Sequence, residues 1–357
     1  MKIDFVIGSM KGAGAERVVS ILANYFAENG HEVRIITFID ADAYNYHPSI
    51  KRIRFHKKFI INYSIFRGFF SLLYFYYKKR NRPDVISSHI HLMGYATILP
   101  AKFYRIKLVV SEHFNHLNQK KTLGKWILWY GLYRLPDAIT VLTKFDLPFF
   151  KKINKRTLIM ENPCSFTINE NMISKGEKKI LAVGNLDRYI HKGFDNLLDI
   201  VYEVFKTNPD WSLQIVGFGE AGLSYLSDKA KKLGLENKVE FMGYRKDVKE
   251  LMAKSEIFIL SSRGEGLPMV LIEAMSQGMA CISYDCVSGP SEIISNGENG
   301  ILVSDQNMEE MTTKLNELII NSELRERLRA NATKSLEKFS IETVGGKWEA
   351  LFNSFFN

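Results

Sequence analysis

Residues 261–303 read SSRGEGLPMVLIEAMSQGMACISYDCVSGPSEIISNGENGILV. Two carboxylates, Glu265 and Glu273, stand eight positions apart, and Gly266, Leu267 and Pro268 open the interval between them. The glycine-bracketed turn leads into a helix expected over 268–277, because proline is tolerated in a first helical turn. Glu265 then lies in the loop before the helix, and Glu273 lies about one and a half turns inside it. The start of a helix carries unpaired N–H groups and the positive end of the dipole, a ready site for phosphate. One acid at the mouth and one on the inner face are placed to bracket a polyhydroxylated, phosphate-bearing ligand.

Working outward, short β-rich apolar runs alternate with helix-length segments, the pattern of parallel α/β sheets. Strands are expected at 2–7, 32–38, 84–87, 107–111, 138–142 and 157–160, with helices between them, notably 14–29 and 122–134. Residues 161–176 (ENPCSFTINENMISKG) break the rhythm and read as a linker. A second series follows, with strands at 179–183, 212–216, 238–242, 256–260, 279–283 and 300–303. Its helices are expected at 193–206, 219–233, 246–253, 268–277, 290–295 and 307–335, and an aromatic amphipathic segment at 340–356 ends the chain. The 357 residues suit two domains. The expected division is 1–161, a linker at 162–176, 177–338, and a terminal helix within 339–357. Open parallel sheets bind ligands in a crevice beyond the carboxyl ends of their strands.

Charge is unevenly placed. Residues 1–161 carry 26 Lys and Arg against 11 Asp and Glu, whereas 162–357 carry 22 against 28. A basic half suggests a polyanionic surface, either anionic lipid or nucleic acid. Residues 66–80 form an aromatic helix with a cationic end, and 124–130 are similar, a composition suited to the bilayer interface. The competing reading makes the aromatic faces core. No nucleic-acid motif accompanies the charge, so nucleic acid is not an expected partner. Cys164, Cys281 and Cys286 are an odd set with no disulfide or metal spacing, which suits a reducing compartment. The amino terminus reads as a strand and not a signal peptide, and no run approaches the ~20 apolar residues of a membrane span. The expected location is cytoplasmic, peripheral on the inner membrane face.

Two further loops carry charge or glycine at strand ends. Residues 8–17, GSMKGAGAER, follow the first strand and open a helix, with Gly12 and Gly14 allowing close backbone approach. Residues 184–193, GNLDRYIHKG, follow the strand at 179–183, where Arg188 and Lys192 are suited to clamp a diphosphate from the side opposite the 268 helix. Two fixed cations and helix N–H donors can hold a diphosphate without a metal. His113 follows the strand at 107–111, on the strand-end edge, where a neutral imidazole can hydrogen-bond a ligand hydroxyl.

The Glu-x7-Glu spacing, the EGLP turn, the GPSEII and ENGILV runs and the GAGAERVV loop together resemble the retaining glycosyltransferases of family GT4. The resemblance implies the GT-B architecture: two Rossmann-like domains facing across a cleft, with the last helix returning to the first. It implies a metal-independent hexosyltransferase acting with retention, without a cofactor, on a nucleotide-sugar donor, a UDP-hexose or UDP-N-acetylhexosamine. A lipid-linked or cell-envelope glycan is the implied acceptor, and the anionic cytoplasmic membrane surface a candidate partner. Glu265 and His113 would be the catalytic pair, with Glu265 positioning the donor sugar and not forming a covalent intermediate. Gly14, Arg188, Lys192 and Tyr244 would contact the donor, Tyr244 near the nucleobase. Gly266, Leu267 and Pro268 would cradle it, and Glu273 would hold the ribose. Two departures are visible: Ala13 stands where the family usually has glycine, and Asn185 occupies the commonest arginine position, displacing that role to Arg188. Two alternatives stay open, another GT-B nucleotide-sugar enzyme of epimerase or phosphorylase type, and a basic nucleic-acid-binding protein.

Overall fold

The computed structural model describes residues 1–56, 64–120, 122–168 and 176–357. Part of the expected linker, 169–175, lies outside the described residues. The chain forms two compact units, one made of 1–165 with 339–357, the other of 166–338.

The first unit runs β1 (Lys2–Val6), α1 (Gly14–Glu28), β2 (Glu32–Thr37), β3 (Lys51–Arg54), α2 (Ser64–Tyr77), β4 (Val85–His89), α3 (His91–Phe103), β5 (Lys107–Ser111), α4 (Leu123–Trp126), β6 (Ala138–Val141), α5 (Leu147–Lys151) and β7 (Thr157–Ile159). Its strands pair in parallel in the order β3-β2-β1-β4-β5-β6-β7. The order reverses between β1 and β4. Right-handed crossovers therefore place α1 on one face and α2 and α3 on the other. The central strands are buried on both faces, which is why they read as unbroken apolar runs. β3 was not among the expected strands: its sequence Lys-Arg-Ile-Arg is that of a charged edge, half-exposed along its length. The helix expected over 122–134 is one turn of α4, then a π-helical turn at Ile127–Gly131 and a 3-10 turn at Leu132–Arg134. Under α2, Asp4 takes a bidentate bond from Arg34 at 2.6 Å and one from Tyr76 Oη at 2.7 Å, so the buried carboxylate is fully engaged.

The second unit runs β8 (Glu177–Val183), α6 (Tyr189–Lys192), α7 (Phe194–Thr207), β9 (Ser212–Val216), α8 (Glu220–Lys232), β10 (Val239–Gly243), α9 (Val248–Lys254), β11 (Ser255–Leu260), α10 (Met269–Ser276), β12 (Ala280–Tyr284), α11 (Pro290–Ile293), β13 (Ile301–Val303), α12 (Met308–Ile320) and α13 (Ser322–Lys334). Its sheet is parallel, in the order β10-β9-β8-β11-β12-β13. The single helix expected over 307–335 is broken at Asn321, whose side chain accepts the Leu324 N–H at 2.9 Å and caps α13.

The last helix, α14 (Ile341–Asn353), packs on α1 in the first unit. Gly345 permits that packing, because a Cβ there would meet the Tyr25 ring at 2.5 Å.

Candidate active site

In the second unit β8 and β11 are neighbours from which the chain departs in opposite directions, a topological switch point. The loops after these two strands carry Lys192 and Glu265. α6 ends at Gly193, in the left-handed region with φ +67°, and a Cβ there would lie 1.9 Å from the Ser261 carbonyl. The two loops therefore touch backbone to backbone, reinforced by Ser261 Oγ donating to the Lys192 carbonyl at 2.8 Å. Lys192 Nζ then reaches Glu265 Oε1 at 2.8 Å, with side-chain exposures of 17% and 12%. Burial pushes the Glu265 pKa up, but the charge and hydrogen bond of Lys192 outweigh it, and the net shift is below the ordinary carboxylate value. Glu265 is thus an ionised acid held against an ammonium that keeps two further donors for a ligand.

The second Gly-Pro turn packs on the first. Gly289, at φ +102°, would place a Cβ 2.2 Å from the Gly266 carbonyl and 2.7 Å from Pro268 Cδ, and Ser288 Oγ donates to Gly266 O at 3.2 Å. This contact explains why EGLP and SGPS occur together. Pro268 is the N-cap of α10 and not its first residue, so the helix opens at Met269. Leu267 is buried beneath the turn, and Glu273 faces inward, 2% exposed.

Arg188 is exposed at the end of a short 3-10 turn, Leu186–Arg188. Burial, then the charge of Arg188, depresses the neighbouring His191. Tyr244, 67% exposed, follows β10 and Gly243 (φ +64°) on the same sheet edge, two strands from β8. Arg263, two residues before Glu265 in the same loop, makes a bidentate pair with Asp195 at 2.7 and 2.9 Å.

Gly14 and His113 lie in the first unit. Gly14 is the first residue of α1, but the loop before it is turned onto Glu16. The Gly12 and Ala13 N–H groups donate to Glu16 Oε2 at 2.6 and 3.0 Å, and Ser9 Oγ donates to Oε1 at 2.6 Å. The anchoring role of Glu16 was missed, although an acid at the third helical position signals it.

His113 is buried beyond β5, its Nε2 2.9 Å from His89 Nδ1, while His89 Nε2 meets Ser87 Oγ at 2.9 Å. Burial pushes the His113 pKa down to about 4, so the ring is neutral at pH 7. Ile90, next to this pair, sits at φ +72°, a strained position for a β-branched residue. The preceding Glu112 was also missed. It accepts from Tyr133 Oη and from Gln119 Nε2 at 3.2 Å, and Lys125 Nζ donates to Gln119 Oε1 at 2.7 Å. Burial, opposed by these hydrogen bonds, pushes Glu112 up to about 7.

One Asp-x-Asp, the carboxylate pair that a metal bridging two phosphates would need, does occur in the sequence, at Asp40-Ala41-Asp42. Asp42 is committed to Arg52 and Arg54 at 3.1 and 2.8 Å, and Asp40 to His56 at 3.1 Å. Among the described residues no three or more His, Cys, Asp and Glu gather as if to hold a metal ion.

The family model described as Glycosyltransferase Family 4 matches residues 12–152, and that described as Glycosyl transferases group 1 matches 165–335. An uncharacterized glycosyltransferase of Haemophilus influenzae is 30% identical over 98% of this chain and 99% of its own length. An α-1,4-N-acetyl-D-galactosaminyltransferase of Campylobacter jejuni, named for an undecaprenol-diphosphate-linked glycan, is 30% identical over 98% of this chain and 97% of its own. HepE of Anabaena, solved with UDP-glucose, has the same fold, with a TM-score of 0.81 at 19% identity over 99% of this chain and 100% of that one. With two parallel α/β units and these relatives along its whole length, the chain belongs to the family 4 glycosyltransferases and is a transferase of the GT-B fold.

Proposed function

We propose that the protein moves a hexosyl or N-acetylhexosaminyl group from a UDP-sugar to a hydroxyl of a lipid-linked or cell-envelope glycan, with retention and without a metal, at an anionic membrane surface. The observation that carries this reading is the Lys192–Glu265 pair at the switch point, beside the opening of α10. The donor diphosphate lies against the first N–H groups of α10, with Lys192 and Arg188 countering its charge. As the anomeric C–O bond breaks, the electron pair goes to the diphosphate. The acceptor oxygen forms its bond on the same face, and its proton passes to the departing phosphate. Glu265, kept ionised by Lys192, binds donor-sugar hydroxyls and stabilises positive charge developing on the ring. Glu273 holds the ribose and Tyr244 borders the base; in the first unit, neutral His113 can hydrogen-bond a sugar hydroxyl. The named acceptor of the Campylobacter relative supports the lipid-linked class, and the UDP-glucose complex of HepE supports the donor class.

The test is a panel of UDP, UDP-glucose, UDP-GlcNAc and UDP-GalNAc read by thermal shift, then turnover by UDP release in EDTA and anomeric assignment of the product by NMR. A bound nucleotide raises Tm. Glu265→Gln should keep UDP binding and lose about 10²–10³ in kcat. No shift with any nucleotide, or wild-type turnover by Glu265→Gln, contradicts the assignment. Activity lost in EDTA and restored by a divalent cation contradicts the metal-independent part.

A further inference from the structure

The first unit leaves large apolar side chains in water where its own core has no use for them. On α2, Phe66, Phe70, Tyr74 and Tyr77 follow helical spacing along one face and are exposed, Tyr74 by 74%. The opposite face of the same helix buries Leu72 and Tyr76 against the sheet. α3 lies beside α2 and exposes Leu99 and Phe103, the latter by 73%. The segment starting at α4 packs against α3 in turn and exposes Leu123, Ile127 and Trp126, the last by 61%.

Close packing holds these segments together as one layer. A Cβ on Gly68 of α2 would lie 3.1 Å from Ala96 of α3. One on Gly94 of α3 would lie 3.2 Å from Leu128, and one on Gly124 would lie 3.3 Å from Tyr95 Oη. A single exposed leucine is ordinary, but a continuous aromatic layer is the mark of a covered surface.

Charge identifies what covers it. Residues 64–135 contain twelve Lys and Arg and only two acids, Asp84 and the buried Glu112. Lys78, Lys79 and Arg80 are exposed just past the end of α2, and Arg105 just past α3. Protein–protein interface cores favour aromatics but are depleted of charge, lysine above all. Tyr, Trp and Phe bordered by Lys and Arg match the headgroup region of an anionic bilayer.

We propose that the layer of α2, α3 and the segment 123–130 is the face on which the protein docks to anionic lipid. This deepens the reading of a lipid-linked acceptor and rests on it for its purpose. Lys125 of the segment 123–130 donates to Gln119, which donates to the Phe114 carbonyl and to Glu112, so the docked face adjoins the strand-end edge after β5 that carries His113 and the exposed Phe114 and Leu117. A lipid-anchored acceptor then reaches that edge without leaving the membrane surface.

The full chain is floated with vesicles of phosphatidylcholine alone and with vesicles half phosphatidylglycerol, and UDP thermal shift is measured on the same samples. Wild type co-floats with the anionic vesicles only, and brominated lipid quenches tryptophan fluorescence, a signal reduced in Trp126→Phe. Lys78→Gln/Lys79→Gln/Arg80→Gln weakens vesicle affinity by about 100-fold, and Tyr74→Ser/Phe103→Ser weakens it at least tenfold. The UDP shift is unchanged in each variant, which shows that the fold and donor site are intact. Wild type that ignores anionic vesicles yet shows the UDP shift overturns the docking face and leaves the transferase reading standing. A dimer abolished by Tyr74→Ser/Phe103→Ser, with vesicle binding unaffected, overturns it in favour of a second copy of the chain.

Discussion

Replacing Lys192 with methionine removes the ammonium from Glu265 while keeping most of the aliphatic stem. The carboxylate, 12% exposed, then loses the cation now at 2.8 Å. Breaking a buried pair from one side costs about 3–5 kcal/mol. Because both groups keep slight solvent contact, the lower end, about 3 kcal/mol, is expected. Lys192→Met/Glu265→Gln removes both charges and should cost only about 1 kcal/mol. Because Glu265→Gln breaks the pair from the other side and is itself destabilising, the coupling in the double-mutant cycle is at least about 2 kcal/mol.

The pH dependence carries the same information with a definite sign. In the wild type Lys192 outweighs burial and holds Glu265 below its unfolded value of 4.5, so the contribution is present above that pH and fades as pH falls through the lower folded pKa. In Lys192→Met burial is opposed only by the Ser262 hydrogen bond and the His191 charge, so the folded pKa moves up from its wild-type position. The variant then gains less stability than the wild type as pH rises and the carboxylate ionises. The stability gap between wild type and variant should therefore widen from pH 4 to pH 7. Urea titrations followed by hydrogen exchange of peptides from 177–338 isolate the transition of the second unit from that of the first. Single-mutant costs that add to the double-mutant cost within about 0.5 kcal/mol, with a gap independent of pH, would show that the pair is not formed and remove the core of the donor site.

Glu112→Gln should flatten a pH response in the first unit. Burial raises the folded pKa to about 7 from 4.5, so the wild-type contribution is kept at low pH and lost as pH climbs through 7. The Tm of the variant relative to wild type should thus rise between pH 5 and pH 8, and a flat difference refutes the buried, protonated carboxyl. Gly193→Ala combines a left-handed φ of +67° with a Cβ 1.9 Å from the Ser261 carbonyl. It should destabilise the second unit by at least about 2 kcal/mol and weaken UDP binding measured by calorimetry, whereas normal stability and affinity would show that the two loops need no such contact.

The parallel strands were legible because burial on both faces leaves uninterrupted apolar runs, and the observed bounds of β5 and β9 coincide with the expected ones. β3 escaped because an edge strand can carry charge on every exposed residue. The 122–134 and 307–335 segments read as single helices because periodicity does not register a π-helical turn or a capping asparagine that restarts the helix one residue later. At the site, the spacing of Glu265 and Lys192 across 73 residues of chain becomes a 2.8 Å contact because both follow central strands of one sheet. The partners of Arg263, Glu16 and Glu112 depend on where side chains converge in three dimensions, and only Glu16 had a local signature.

The packing of α14 also bears on how the molecule is made. Trp348 of this helix lies 5.9 Å from the His89 ring, which in turn holds His113. A ribosome emits residues 166–338 in full before it emits α14, so the second unit can finish folding while the first still lacks its closing element. Until that helix arrives, the histidine pair has an open flank, and a nascent or C-terminally truncated protein would hold a complete second unit and an unfinished first one.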